Sequence, residues 1–497
     1  MLLSPLNRLG IISLAALLAS ASAAHSEPAK KPAAAPSPLA KKTKVYGSWR
    51  IRPEDWQWFE PKATGNFDTQ YTFTGSLLRV GITGPTASGD YNFELAQTNI
   101  LSLPHHASGP APLGNFGAGG NYAAFSGKIT NTLFVKQLYF DFMSGGQPKS
   151  LLTLGRFDFN DGLETKPADP SVAWIQQSRI TQRMIGTFGY TDVQRSFDGG
   201  KWVLNRPNFN VTAVAASPTE GVYSMRDTND SIGNVRFGYL ALTKPQVGSG
   251  PLARLFAVEY EDTRSGVTKT DNRPAPVKAA DKDRIRLTTI GANIVKVADA
   301  PGGKVDLMAW GATQFGKWGS QDQGGYSYDA ELGYQPKHFK WKPWVRVGYY
   351  YASGDNDTTD SKHNTYFPML PTPRIYARFP FYSETNLKDA FVQLIGRPNP
   401  KLTLRADAHS LSLASSKDLW YQGGGAFVPH GNFGYAGTPS GGNSGLATLY
   451  DISADYKVDP KTTFSVYYGS ATPGSVITTI YKSNKASLGY VELLRTF

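Results

Sequence analysis

In the stretch KLTLRADAHSLSL, residues 401–413, Thr403, Arg405, Asp407 and His409 stand at every second position. Successive side chains of an extended strand point to opposite faces, so these four share one face and Leu402, Leu404, Ala406 and Ala408 share the other. A guanidinium, a carboxylate and an imidazole in one row can grip a charged solute or bridge to one another. Asp407 beside His409 also offers acid–base chemistry, but no defined nucleophile accompanies them, and no G-x-S-x-G, H-E-x-x-H or phosphate-loop motif occurs. The row has counterparts. Arg79 in LLRVGI, Arg236 in VRFGYLA and Arg346 in WVRVGYYY each oppose an apolar row, as do Asp455 and Lys457 in YDISADYKV. By alternation these arginines point into an interior. Arginine pairs carboxylates in two places at once and keeps its charge. A wall of such groups passes an acidic solute when each contact favours entry yet releases easily.

A soluble sheet would bury the leucines, whereas an outer-membrane barrel would turn them to lipid and the charges to a wet channel. The start of the chain separates the two. Arg8, an apolar run from Leu9 to Leu18 and Ala21-Ser22-Ala23 have the order of a secretory signal, which assigns residues 1–23 to a leader. That apolar run is too short to span a bilayer as a helix, and no later segment is long enough. Residues 24–44, rich in Pro, Ala and Lys, are expected to form a periplasmic tether. The tether holds five Lys and one Glu, +4 of the formal net charge of +12, which leaves the barrel region a mild excess, and nucleic acid is not an expected partner of an exported chain. There are no cysteines, so neither a disulfide framework nor a thiol site is available.

From residue 45 to 497 the pattern is strand after strand. Tight turns such as VDPKT and GRPNPK alternate with long Gly- and Pro-rich connections at 101–127, 353–373 and 423–445. Short turns on one rim and long loops on the other characterise a transmembrane antiparallel β-barrel, with periplasmic turns and extracellular loops. The Tyr and Phe residues, 26 of each, often fall at strand ends, as girdles at the lipid–water boundaries require. The chain closes on an aromatic, Phe497, like outer-membrane proteins read by the insertion machinery. The length predicts roughly 16 to 18 strands and an aqueous channel rather than a side-chain-filled interior. Among other candidates, Asp355, Asp357 and Asp360 in SGDNDTTD supply oxygen ligands of the kind that hold calcium, without the terminal glutamate of a calcium loop.

Three segments resemble the alginate export family. LLTLGRFDFNDGLE carries its Gly-Arg pair as Gly155 and Arg156, with Phe157 where the family usually has Gln. YYYASGDNDTTDSKHNTYFPMLPT resembles the Ser-Gly-Asp loop through Ser353, Gly354, Asp355, Asp360, Thr365, Phe367 and Pro371. The following block matches at Asn386, Asp389, Pro400, Leu402, Leu404, Asp407, His409, Asp418, Trp420 and Tyr421. The resemblance implies an 18-stranded monomeric barrel with a narrowed, electropositive, anion-selective channel for an anionic polysaccharide. Expected partners are that polymer, outer-membrane lipid and periplasmic export components, with no cofactor. Alternation places Arg79, Arg236, Arg346, Arg405, Asp407 and Lys457 along the pore, and the motif adds Arg156, which shares a strand face with Leu152 and Leu154 unless a bulge intervenes. A small-solute porin and an outer-membrane hydrolase using His409 are the alternatives.

Overall fold

The computed structural model describes residues 42–143 and 150–497; the expected leader, and the expected tether up to residue 41, lie outside the described residues. Eighteen strands are bonded in sequence order. They are β1 Lys44–Gln57, β2 Gln70–Pro85, β3 Gly89–Leu101, β4 Asn131–Met143, β5 Ser150–Phe157 and β6 Phe197–Asn205. Next come β7 Asn210–Pro218, β8 Val235–Lys244, β9 Leu252–Asp262, β10 Ile285–Ala300, β11 Gly303–Trp318 and β12 Tyr326–Pro336. The last are β13 Trp344–Ala352, β14 Leu387–Asn399, β15 Leu402–Leu413, β16 Gly445–Asp459, β17 Thr462–Pro473 and β18 Ala486–Thr496. β18 returns to pair with β1, from Ser48 opposite Thr496 to Gln57 opposite Ser487, and the backbone of Phe497 bonds Gly47 in both directions. The sheet is a closed antiparallel barrel in which no main strand is left as an edge.

Connections at one rim are as short as 301–302, 400–401 and 460–461, while the other rim carries 102–130, 158–196, 353–386 and 414–444. Alternation is clear along most strands. Leu240, Leu255, Ile290, Leu307, Leu332, Val345, Leu394, Leu404, Ile452 and Val466 lie exposed on the outer wall. Each such side chain left in water would forgo roughly 1.5–3 kcal/mol, so the wall requires a hydrocarbon surround. No helix among the described residues is long and apolar enough to cross a membrane; the crossing is made by strands.

The interior departs from the expected open water channel. At the long-loop rim it is filled by chain that folds inward, and aromatic rings pack there. Phe379 meets Trp56 at 5.8 Å and Phe381 at 5.0 Å, and Phe59 lies 5.9 Å from both Phe381 and Tyr481. Toward the short turns the inner row loosens, and Asp455 and Lys457 of β16 regain exposure. Elsewhere the filling goes deeper: the Ala168 and Asp169 amides donate to Gln246 in the short-rim turn 245–251, and Trp174 lies 4.8 Å from Trp344.

Candidate functional site

The lumen is narrowed by loop 158–196, which follows β5. Asp158 leaves the strand between Lys136 at 2.7 Å and Arg79 at 3.0 Å. Asp161 and Glu164 each lie 3.3 Å from Arg254 on β9. A short helix, Pro170–Ile175, starts where Asp169 accepts bonds from the Ser171 and Val172 amides, with proline in its first turn. Its continuation brings Arg179 within 3.3 Å of Glu331 on β12, and Arg183 to Asp329 and the Tyr376 hydroxyl. The loop then returns to β1. There Arg50 donates to the carbonyls of Gly189 and Thr191 and to Asp192, and Arg52 to the carbonyl of Tyr190.

Loop 353–386 lies beside it. Leu370 exchanges backbone bonds with Met184 and Gly186, and Thr372 donates to Gln182. The following residues cross to the opposite wall. Arg405 donates to the Tyr376 carbonyl at 2.6 Å, and Arg378 reaches the Tyr490 hydroxyl at 3.3 Å and Asp455 at 3.4 Å. Arg374, earlier on the same segment, has its guanidinium 4.0 Å from the centre of the Tyr190 ring. Its side chain has neither a carboxylate nor a hydrogen-bond acceptor among the described residues, and its Nε is buried.

The residues of the resembling segments hold these loops in place. Asp418 accepts bonds from the Asp355 and Leu419 amides and from the Thr365 and Tyr421 hydroxyls, at 2.6 to 2.9 Å. Burial pushes its carboxyl up to about 6 against those donors. Asn386, at φ 49°, takes a left-handed conformation that asparagine tolerates, and its side chain spans Ser415 and Leu419. The Trp420 indole donates to the Phe381 carbonyl, and His409 lies 3.0 Å from Asp389. Gly155 has φ 127°, and a Cβ there would meet the Leu138 carbonyl at 2.3 Å. Asp355, Asp357 and Asp360 accept bonds from backbone amides of their own loop rather than converging. Among the described residues no cluster of three or more His, Asp or Glu could hold a metal.

Of the arginines expected along the pore, Arg79, Arg346 and Arg405 do point inward, and Asp407 faces in with them. Arg79 meets Glu94 and Asp158, and Arg405 meets Asp407. Arg346 is wholly buried between Asp306 and Glu331, the latter at 2.6 Å. Lys457 continues the inner row of β16 at the open end and forms no ion pair among the described residues. Two expectations fail. Arg236 lies on the outer wall, 65% exposed, 3.1 Å from Glu261. The apolar row of β8 turns inward instead, because Phe237 and Tyr239 pack on Phe197 and Phe159 beneath the folded-in loop. Arg156 likewise keeps the face of Leu152 and Leu154, where it makes two 2.7 Å bonds to Asp198 and tethers the Asn229 carbonyl. It fastens a rim loop. Sequence reasoning missed Arg50, Arg52, Arg179, Arg183, Arg254, Arg374 and Arg378. Arg50, Arg52 and Arg254 sit on alternating strands and could have been found; the loop arginines carry no periodic signal.

The comparisons agree on the architecture. Residues 130–490 match the family model described as alginate export. Among solved structures, Pseudomonas aeruginosa OccK9 (OpdG) superposes with a TM-score of 0.54 at 10% identity, covering 92% of this chain and 98% of that one. Pseudomonas aeruginosa OpdK, solved with vanillate, gives 0.53 at 10% identity, with 91% and 98% covered. Acinetobacter baumannii OccAB2 gives 0.53 at 8%, with 92% and 98% covered. No curated protein matches the chain.

Proposed function

The chain belongs to the alginate export family of outer-membrane barrels, and from that premise we propose that it passes an anionic polysaccharide of the polyuronate kind through its loop-narrowed lumen. The observation that carries this reading is Arg374. Every other arginine named in the constriction is matched by a carboxylate or by carbonyls, whereas Arg374 has only a tyrosine face. Inside a narrow, low-dielectric passage such an uncompensated cation draws a carboxylate far more strongly than it would at an open surface. Arg378 opposite Asp455, and Arg405 shared between Asp407 and the Tyr376 carbonyl, continue the path along β15 and β16. A polymer with one carboxylate per sugar can step along sites that bind it incompletely.

In planar bilayers the channel should prefer anions, and polyuronate oligomers should interrupt the current. Arg374→Glu should lower the anion-to-cation permeability ratio by about tenfold, the scale of one favourable charge contact becoming a repulsive one. An unchanged ratio in that variant rejects the reading. Diffusion of small organic acids is the second reading, favoured by the tight loop packing and by a structural neighbour, OpdK, solved with vanillate. It predicts that monomeric carboxylates permeate while uronate oligomers only block. The site does not support turnover, since His409 is sealed against Asp389 and Phe391.

A further inference from the structure

The connection from β12 to β13 lies at the short-turn rim. Its residues 337–342 read KHFKWK, three lysines and a histidine set around two aromatic rings, with no carboxylate among them. The turn is firmly built. The Lys337 amide bonds the Gly302 carbonyl at 2.8 Å, the Lys342 amide bonds the Phe339 carbonyl at 3.1 Å, and the Trp341 carbonyl accepts from the Arg397 amide at 2.6 Å. Phe339 and Trp341 nonetheless stay exposed, edge to face at 6.4 Å. Trp341 lies against Gly396, where a Cβ would meet its ring at 2.9 Å. Gly396 follows Ala390, Val392 and Leu394 in the outward row of β14, so the indole rests on the outer wall where the apolar band ends. The side chains of Lys340 and Lys342 are exposed and meet no acceptor among the described residues, and Lys337 has only the exposed Asp299, 3.7 Å away.

Two exposed rings cost free energy in water, and two unpaired ammonium groups cost more in hydrocarbon. The head-group layer of a bilayer suits both. Aromatic rings lie at its apolar side, while lysine stems run past them and carry their charges to the phosphates. Short turns face the periplasm, and the leaflet on that side is made of phospholipid. We infer that turn 337–342 is a binding site for the phosphate of an anionic phospholipid of the periplasmic leaflet, of the phosphatidylglycerol kind. A zwitterionic head group would set its own cation against these lysines, whereas an anionic one supplies the charge that the turn lacks. The indole lies outside the cylinder, so the inference is independent of what passes through the lumen. A lipid held there pins this sector of the wall at the depth where its apolar band ends.

The test is native mass spectrometry of the protein purified from membranes in detergent and loaded with phosphatidylglycerol or with phosphatidylcholine of the same acyl chains. Phosphatidylglycerol should be retained and phosphatidylcholine largely lost. Lys340→Gln combined with Lys342→Gln should weaken phosphatidylglycerol retention about fivefold for each lysine removed, the usual worth of one basic residue at an anionic surface. Lys401→Gln combined with Lys461→Gln takes two charges from other turns of the same rim and should leave retention unchanged. Equal retention of the two lipids overturns the inference. So does equal loss in the two double variants, which would make the charge of the whole rim the cause rather than this turn. Retention untouched by the first pair of substitutions overturns it as well, and leaves the turn to an acidic protein partner.

Discussion

Two sectors of the inner wall carry similar residues and do different things with them. Under loop 158–196, from β9 to β13, Arg254, Arg346 and Arg183 are shut away with Asp161, Glu164, Asp306, Glu331 and Asp329. Along β15 to β18 and β1, Arg378 and its partner Asp455 both stay about a third exposed, while Arg405 and Arg50, bound to the buried Asp407 and Asp192, keep 16% and 11% of their side chains in the open, with tyrosines between them. The first sector is a rivet line that fastens the loop to the wall. The second keeps cations where a solute can touch them. A count of arginines on inward faces therefore says little about selectivity. What matters is whether the charge is already spent on a buried acid or left facing water.

The sharpest way to break the comparison is Arg346→Met. It leaves the buried Asp306 with only the Trp344 indole and Glu331 with only Arg179, which should cost about 3–5 kcal/mol, read as a lower unfolding midpoint in detergent. Selectivity should hardly move, and a large change in permeability ratio with normal stability would reverse the assignment of the two sectors. Arg378→Ala should do the opposite. Anion preference should fall severalfold, while stability changes by less than about 1 kcal/mol, as for other half-exposed pairs. Smaller again is Thr365→Val, which removes a hydroxyl donor from Asp418 and should cost about 1–3 kcal/mol locally, read as faster proteolysis within 353–386.

A pH effect separates rim from wall. His363 is buried in that loop, stacked 4.3 Å from Trp318 with Asp271 and Arg273 nearby, and burial holds it down to about 3. A histidine depressed from 6.5 contributes stability that is present above that value and is lost as pH falls toward 3. Asp418, raised by burial to about 6, works in the other sense and loses its contribution as pH rises through 6. The two offset each other between 3.8 and about 6, so hydrogen exchange in loop 353–386 should quicken on acidification from 6.5 to 6 and again below 3.8, and His363→Asn should remove both steps. The smallest expected effect is Lys457→Ala, a modest drop in anion current that fades with added salt because the side chain stands in the open half.

The barrel was legible because its outer wall meets hydrocarbon and must alternate. The leucine face of β15 and the valine–tyrosine face of β13 read correctly for that reason. β8 read backwards. Its inner row is as apolar as its outer one, since Phe237 and Tyr239 meet a folded-in loop rather than water, and alternation alone carries no sign. The resembling residues were visible as a pattern but not as a clamp, because Asp355, Thr365 and Asp418 become neighbours only once the loops fold back. Arg374 had no signal at all: a lone arginine between prolines reads as loop until Tyr190 is placed against it.

Arg195 has a consequence for how the molecule is made. Its guanidinium is held entirely by backbone oxygens, those of Gly186, Leu370, Pro371, Gly424 and Ala426. These belong to three loops whose sequence positions span almost half the chain. The knot cannot be tied until the strands flanking the last of those loops exist, so the stopper sets only once most of the wall has been laid down.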